Sequence, residues 1–147
     1  MIRRTFLGLA LLAAISPAWA GDPPQFTDMV SGVALGGYDA TSYFAGKPVE
    51  GDAAITQKWQ GVTWRFASKA NSDLFAATPE KYAPQYGGYC AFAAAKGSLA
   101  SGDPLAWTVH KDKLYINLSP GIRDTWLKDV EGYVTKADAN WPGLAGM

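Results

Sequence analysis

Hydrophobic and polar positions alternate along two stretches of the chain, which is the pattern of half-buried β-strands. In the first stretch, residues 54–67, Ile55 and Trp59 fall on one face before Gln60-Gly61, and Val62, Trp64 and Phe66 fall on one face after it. In the second, two similar runs, residues 106–110 and 113–118, flank Lys111-Asp112. Because a two-residue break between alternating runs is typical of a hairpin turn, the pattern predicts two antiparallel β-hairpins.

Capping residues predict five short helices between and beyond the hairpins, since serine, threonine and aspartate favour helix starts and glycine favours helix ends. The helix after Asp39 is expected to bury Tyr43 and Phe44. The helix after Ser68 is expected to bury both Leu74 and Phe75. We therefore expect a single α+β domain of two hairpins packed with several short helices. The helices are predicted over residues 40–45, 69–77, 79–83 and 89–96 and from Ser119-Pro120 onward.

The first twenty residues have the layout of a secretory signal peptide. Arg3 and Arg4 precede an apolar run over residues 6–15, and Ala18-Trp19-Ala20 precedes Gly21. The arginine pair also resembles a twin-arginine signal, whose cargo crosses the membrane folded; this route and ordinary export both stay open. We expect cleavage after residue 20 and a periplasmic or secreted protein.

The remaining chain is expected to form an arm over residues 21–32, a domain over 33–141 and a tail over 142–147. Two of the 13 basic residues lie in the signal segment, which leaves about two more acidic than basic residues. This balance predicts no nucleic-acid partner. Because the sequence has no second apolar span, we expect no membrane insertion once the signal is removed. A single cysteine excludes an internal disulfide, so the core must hold the domain together.

Candidate chemistry is concentrated in residues 78–92, TPEKYAPQYGGYCAF. This stretch contains the only cysteine of the chain and a glycine pair, which lets a neighbouring backbone or ligand approach closely. The three tyrosines of this stretch, Tyr82, Tyr86 and Tyr89, are equally suited to a hydrophobic core. The candidate ligand-binding residues are Cys90, Tyr86, Tyr89, Gly87, Gly88 and Tyr43.

Two interpretations of Cys90 stay open. A thiol at this position is suited to a redox group or a metal ligand, but free cysteine is also among the most buried residue types and packs as a small hydrophobe. The only histidine, His110, is a candidate partner of Cys90 in a site for copper, another transition metal or haem, or a plain surface residue. Exposure of the sulfur decides between these interpretations.

The sequence gives little support for hydrolytic catalysis. Its carboxylates Asp39, Asp73, Glu80 and Asp103 are dispersed near predicted helix starts, where negative charge opposes the helix dipole. No pair has the spacing of an acid and a base, and one histidine does not define a Ser-His-Asp set. Binding without turnover is therefore favoured.

The order Gly37-Tyr38-Asp39, Tyr43-Phe44 and then WQGVTWRFASKANSDLFAATPEKYAPQYGGYCAF resembles the YHS domain, specifically the exported bacterial "YHS domain-containing (seleno)protein" branch, over about residues 33–141. The resemblance implies the α+β arrangement predicted above, and the selenocysteine of some relatives implies redox chemistry. Other YHS domains carry cysteines in D-P-V-C-G and Y-F-C-S-x-x-C that bind soft metal ions. The corresponding positions here are Ser42, Ala67 and Asn71.

We therefore expect a periplasmic protein that binds a small ligand or metal ion near Cys90 without catalytic turnover. One alternative is a thiol-dependent oxidoreductase that uses Cys90, which requires a reactive, accessible thiol. The other alternative is a structural or partner-binding module, which requires an exposed apolar patch.

Overall fold

The computed structural model describes residues 24–147, so the expected signal segment, its cleavage site and the first residues of the arm lie outside the described residues. The described chain forms a small α+β domain with two separate two-stranded antiparallel sheets and several helices, which confirms the predicted fold class. In chain order the elements are β1 (Asp52–Trp59), β2 (Val62–Phe66), α1 (Lys69–Ala77), α2 (Pro79–Tyr82), α3 (Ala91–Ala95), β3 (Asp103–His110), β4 (Lys113–Asn117), α4 (Pro120–Trp126) and α5 (Val130–Ala145).

Both hairpins turn through two residues with positive φ, as the breaks in the alternating pattern predict. The φ angles are 48° at Gln60 and 74° at Gly61, and 49° at Lys111 and 61° at Asp112. Positive φ at both central residues matches the right-handed twist of the flanking strands. The turns therefore set the register of both hairpins, with β1 paired to β2 and β3 paired to β4.

Strand β4 is buried on both faces and joins the two hydrophobic clusters of the domain. Successive side chains of a strand point to opposite faces, so Leu114 and Ile116 pack into one cluster and Tyr115 into the other. The first cluster fills the space between the first hairpin, α1 and β4, and the second lies under α3, α4 and α5. The larger buried side chains of the first are Tyr43, Trp64, Phe66 and Phe75, and those of the second are Tyr86, Tyr115, Trp126 and Leu144.

The predicted serine caps are confirmed, whereas the predicted burial of Leu74 is wrong. The Ser68 hydroxyl accepts a hydrogen bond from the Asn71 amide at 3.1 Å, and Ser119 caps α4 in the same way. Phe75 is fully buried, but Leu74 is 50% exposed. Consecutive helical residues point about 100° apart, so a short helix that turns Phe75 inward directs Leu74 outward.

The helix predicted over residues 40–45 is a shorter 3₁₀ turn over Ser42–Ala45. Gly46 ends it with φ 104°, in the role that the sequence predicts. Tyr43 is buried and Phe44 is half-buried. Thr41 is the residue directly before this turn, and the Asp39 carboxylate accepts a hydrogen bond from the Thr41 amide at 2.9 Å, which is the bond expected of a capping aspartate.

Both ends of the described chain pack against the domain. The Phe26 amide donates a hydrogen bond to the Gly87 carbonyl at 2.8 Å, so the arm contacts the glycine pair. At the other end α5 runs past residue 141, and Leu144 is only 4% exposed. The last helix therefore contributes to the core beyond the expected domain boundary.

Candidate functional site

The space beside the glycine pair is occupied by the protein's own backbone. Gly87 has φ 61°, and a Cβ atom at this position would overlap the carbonyl oxygen of Pro24. Gly102 lies against the Gly88 carbonyl in the same way, with no room for a Cβ atom. The close approach that the sequence predicts is present, and the approaching groups are the N-terminal arm and the chain that leads into β3.

Cys90 is part of the core. The residue is 1% exposed, and its backbone amide donates to the Ala100 carbonyl at 3.0 Å. Its Sγ atom lies 3.6 Å from Oδ1 of the fully buried Asn117, in the geometry of a weak thiol hydrogen bond. These contacts support the interpretation of Cys90 as a packing residue, because a reactive thiol must be reachable.

The structure does not bring His110 and Cys90 together. His110 pairs with Lys113 at the turn of the second hairpin, while Cys90 forms a bridge with Ile116, three residues farther along β4. Three residues of a strand span about 10 Å, so the two side chains do not form a joint metal site. His110 instead contacts Glu131 across 2.8 Å at the surface.

Ser42, Ala67 and Asn71 all form hydrogen bonds with one buried residue, Asp39. Asp39 is fully buried and accepts hydrogen bonds from the Ala67 amide at 2.9 Å, the Asn71 side chain at 2.8 Å and the Thr41 hydroxyl at 2.7 Å. The Ser42 hydroxyl donates to the Asp39 carbonyl. These residues do not fit a soft metal ion, because none is a thiolate and their polar groups are already bonded.

The carboxylates and sulfurs elsewhere do not supply such a site either. Among residues 24–147, no group of three histidine, cysteine, aspartate or glutamate side chains is placed to hold a metal ion. Metal binding by the expected ligands therefore has no geometric support in the described chain.

Two further candidate ligand residues have separate structural partners. Tyr43 is buried, and its hydroxyl donates to the Pro104 carbonyl at 2.9 Å. Burial raises the pKa of the Tyr43 phenol well above its usual range, because water no longer stabilises the phenolate. Tyr89 is half-buried, with its ring centroid 5.5 Å from Phe26 and 6.3 Å from Trp141.

An open groove of about 440 Å³ lies between the arm, the first hairpin turn and α5. Tyr86 and Gly87, two of the predicted ligand residues, line this groove. We call it the aromatic groove because three aromatic side chains form its walls and three glutamines lie between them. The aromatic residues are Trp59, Tyr86 and Trp141, and the glutamines are Gln25, Gln60 and Gln85.

Tyr86 is held in a strained backbone conformation at the base of the aromatic groove. Its φ of 55° and ψ of 36° lie in the left-handed region, which side-chain-bearing residues seldom adopt. The hydroxyl donates to Asp138 Oδ1 at 2.8 Å, and the ring packs 5.8 Å from Trp141. Burial, assisted by the Asp138 carboxylate, raises the pKa of Tyr86 well above its usual range, so the phenol stays protonated.

One amide atom beside the aromatic groove lacks a hydrogen-bond partner among the described residues. Gln25 Nε2 donates to Gln60 Oε1 at 2.7 Å, but Gln25 Oε1 is buried and has no partner among the described residues. Rotating both amides would exchange their roles and still leave one Gln25 atom without a partner. Pro142 inside α5 also removes the amide that would bond the Asp138 carbonyl.

Sequence reasoning did not identify Gln25, Asp138 or Trp141 as site residues. These residues lie in the arm and in the last helix, far from residues 78–92, and their proximity depends on how the two chain ends pack. The one local signal at this site was Pro142 in α5. A proline inside a helix removes one backbone hydrogen bond and so marks an irregular position.

Comparisons with known proteins give no match. A scan against protein-family models, a search of curated proteins and a search of solved structures each found none. Within residues 24–147, no helix combines the length and the apolar character needed to cross a bilayer. The site is therefore interpreted from its own geometry.

Proposed function

We propose that this protein is an exported YHS-type binding protein that holds a small ligand in the aromatic groove without chemical turnover. The observation that carries the proposal is the Oε1 atom of Gln25, which lies buried beside the aromatic groove without a partner among the described residues. A buried polar atom without a partner destabilises a protein by about 1–3 kcal/mol, and a ligand donor offsets this penalty once the half-buried Gln25 side chain turns the atom toward the groove. The groove volume of about 440 Å³ lies within the usual range of small-molecule sites.

The lining of the aromatic groove indicates the class of ligand. The carboxylates of Glu80 and Asp138 supply acceptor atoms, and the side-chain amides of Gln25, Gln60 and Gln85 supply groups that accept or donate. Aromatic rings contribute flat apolar surfaces. A compact molecule with several O–H donors and one apolar face complements these groups, and a monosaccharide or disaccharide has this chemistry.

The proposed absence of turnover is supported by the state of the reactive groups. The Tyr86 hydroxyl is already donated to Asp138, and its raised pKa keeps it protonated, so it does not act as a base near neutral pH. The Cys90 thiol is 1% exposed and does not line the aromatic groove. A thiol-dependent oxidoreductase therefore has no support from the position of the sulfur.

The proposal is tested by two-dimensional NMR of the purified protein during titration with glucose, N-acetylglucosamine and maltose. We expect at least one sugar to shift the indole N–H signals of Trp59 and Trp141 in a saturable way. The variant Gln25→Leu keeps the side-chain volume but removes the acceptor, and should weaken binding about tenfold, the equivalent of about 1.4 kcal/mol.

The matched control is Gln57→Leu, which removes a glutamine bonded to Ser72 outside the aromatic groove. This variant should bind with unchanged affinity. The proposal is wrong if none of the three sugars shifts the two indole signals, or if Gln25→Leu and Gln57→Leu bind equally well.

A further inference from the structure

A second groove of about 440 Å³ lies in the first half of the chain, beside α1 and α2. Its surface is largely apolar and includes two exposed side chains, Val49 at 45% and Leu74 at 50% exposure. We call it the lysine groove because two lysines are the only ionisable amines or carboxylates that line it. The residues used below are Phe44, Lys47, Val49, Leu74, Lys81 and Tyr82.

The two lysines are without carboxylate partners. Neither Lys47 nor Lys81 forms an ion pair within residues 24–147, where the paired cations are Lys69, His110 and Lys111. The Lys81 ammonium lies 5.2 Å from the centre of the Tyr82 ring, at the wall of the groove. The lysine groove thus combines two uncompensated positive charges with an apolar floor.

The neighbouring carboxylates among the described residues do not form ion pairs with these two lysines. Asp39 lies fully buried beneath the groove and is bonded to backbone and side-chain donors, Asn71 among them. Asp73 on α1 is paired with Lys69 at 3.0 Å. Glu80 lines the aromatic groove, since consecutive residues of α2 point about 100° apart. The exposed Glu50, next to Val49, is not part of the groove lining.

We infer that the lysine groove is a second binding site, for a small organic anion with one carboxylate and an apolar body. The carboxylate is placed between Lys47 and Lys81, and the apolar body covers Phe44 and Leu74. Exposed ion pairs contribute little to affinity, so burial of the apolar body supplies most of it, and the lysines select the anion. This site differs from the aromatic groove in its charge and does not depend on the function proposed there.

The experiment uses three probes of the same shape and different charge: 4-phenylbutyrate, 4-phenylbutanol and 4-phenylbutylamine. Binding to the purified protein is measured by calorimetry and mapped by backbone NMR shifts. We expect 4-phenylbutyrate to bind at least tenfold tighter than the amine and to shift the amides of Phe44, Lys47 and Tyr82. Its affinity should fall as salt is raised, because the charges are partly exposed.

The variant Lys47→Gln/Lys81→Gln should reduce the affinity for 4-phenylbutyrate about tenfold and make the three probes equivalent. Both lysines are exposed, so the fold is retained, which circular dichroism verifies. The matched control Lys128→Gln removes an exposed lysine that lines neither groove and should leave binding unchanged.

Four results would each overturn the inference. The first is that 4-phenylbutyrate does not bind, and the second is that it binds the double variant as tightly as the parent protein. The third is that its shifts map to Trp59 and Trp141, which would place it in the aromatic groove. Self-association through this face, seen by light scattering together with loss of probe binding, would equally count against a small-molecule site.

Discussion

At the scale of single residues, three consecutive positive φ angles shape the floor of the aromatic groove. They are 55° at Tyr86, 61° at Gly87 and 81° at Gly88. Glycine adopts these angles without strain, but tyrosine does so at a cost of about 1–2 kcal/mol. The surrounding contacts compensate for this strain, since the Tyr86 hydroxyl is bonded to Asp138 and its ring is buried.

The glycine at position 87 is expected to be irreplaceable for two reasons. In Gly87→Ala the new methyl group is disfavoured at φ 61° and overlaps the Pro24 carbonyl. The combined penalty should lower the free energy of unfolding by about 3 kcal/mol, as strain and overpacking add. Urea denaturation measures this change.

Gly61→Ala is the matched control, because Gly61 has φ 74° but no atom within 4 Å of a new Cβ. It should lose only about 1 kcal/mol, the conformational penalty alone. Equal losses for the two variants would show that the arm does not rest on Gly87.

At the scale of elements, α5 links the second core to the aromatic groove. Its inner face contributes Ala137 and Leu144 to the second hydrophobic cluster, and Asp138 and Trp141 line the groove. Pro142 does not end the helix, which continues to Ala145. Packing of the last turn therefore outweighs the lost backbone hydrogen bond, and it holds the groove wall in place.

Leu144→Ala tests whether the last turn of α5 is integral to the fold. Leu144 is 4% exposed, and truncation of a buried leucine lowers the free energy of unfolding by about 2–5 kcal/mol. The control Leu127→Ala, at 40% exposure, should lose about 1 kcal/mol or less. Thermal and urea denaturation compare the two variants, and a similar small loss for both would mean that residues 142–147 are a dispensable tail.

At the scale of the whole molecule, two cores meet at β4 and two grooves of different charge lie in separate parts of the surface. The cores enclose several tyrosines, and burial raises the pKa of Tyr43, Tyr86 and Tyr115. These phenols bind their protons more tightly in the folded than in the unfolded state. The free energy of unfolding of the whole domain is therefore expected to depend on pH in the alkaline range.

The free energy of unfolding should be independent of these tyrosines below about pH 10 and should fall as the pH rises above it. The sign follows because unfolded tyrosines ionise near pH 10, whereas the folded phenols retain their protons, so unfolding releases protons. Urea denaturation across this range and absorbance of tyrosinate measure the effect. Tyr43→Phe should reduce the slope above pH 10, and an unchanged slope in that variant would contradict the assignment.

Local sequence signals were sufficient to predict the two hairpins and the starts of α1 and α4. Alternation, the Gln60-Gly61 turn and the Ser68 and Ser119 caps act between residues close in the chain, so the sequence is sufficient for them. The miss at Leu74 has a similar origin, because a short apolar helix does not specify which of two adjacent hydrophobic residues faces inward.

The amino-acid sequence alone determined the two hairpins, the serine-capped helices and the room for a close approach at Gly87-Gly88, which the structure fills with backbone. Only the tertiary structure decided that the Cys90 sulfur is buried, that His110 at the end of β3 lies away from Cys90, and that Gln25 joins Trp141 in a groove. The reason is physical: exposure and groove composition depend on contacts between segments far apart in the chain, and no local periodicity encodes those contacts.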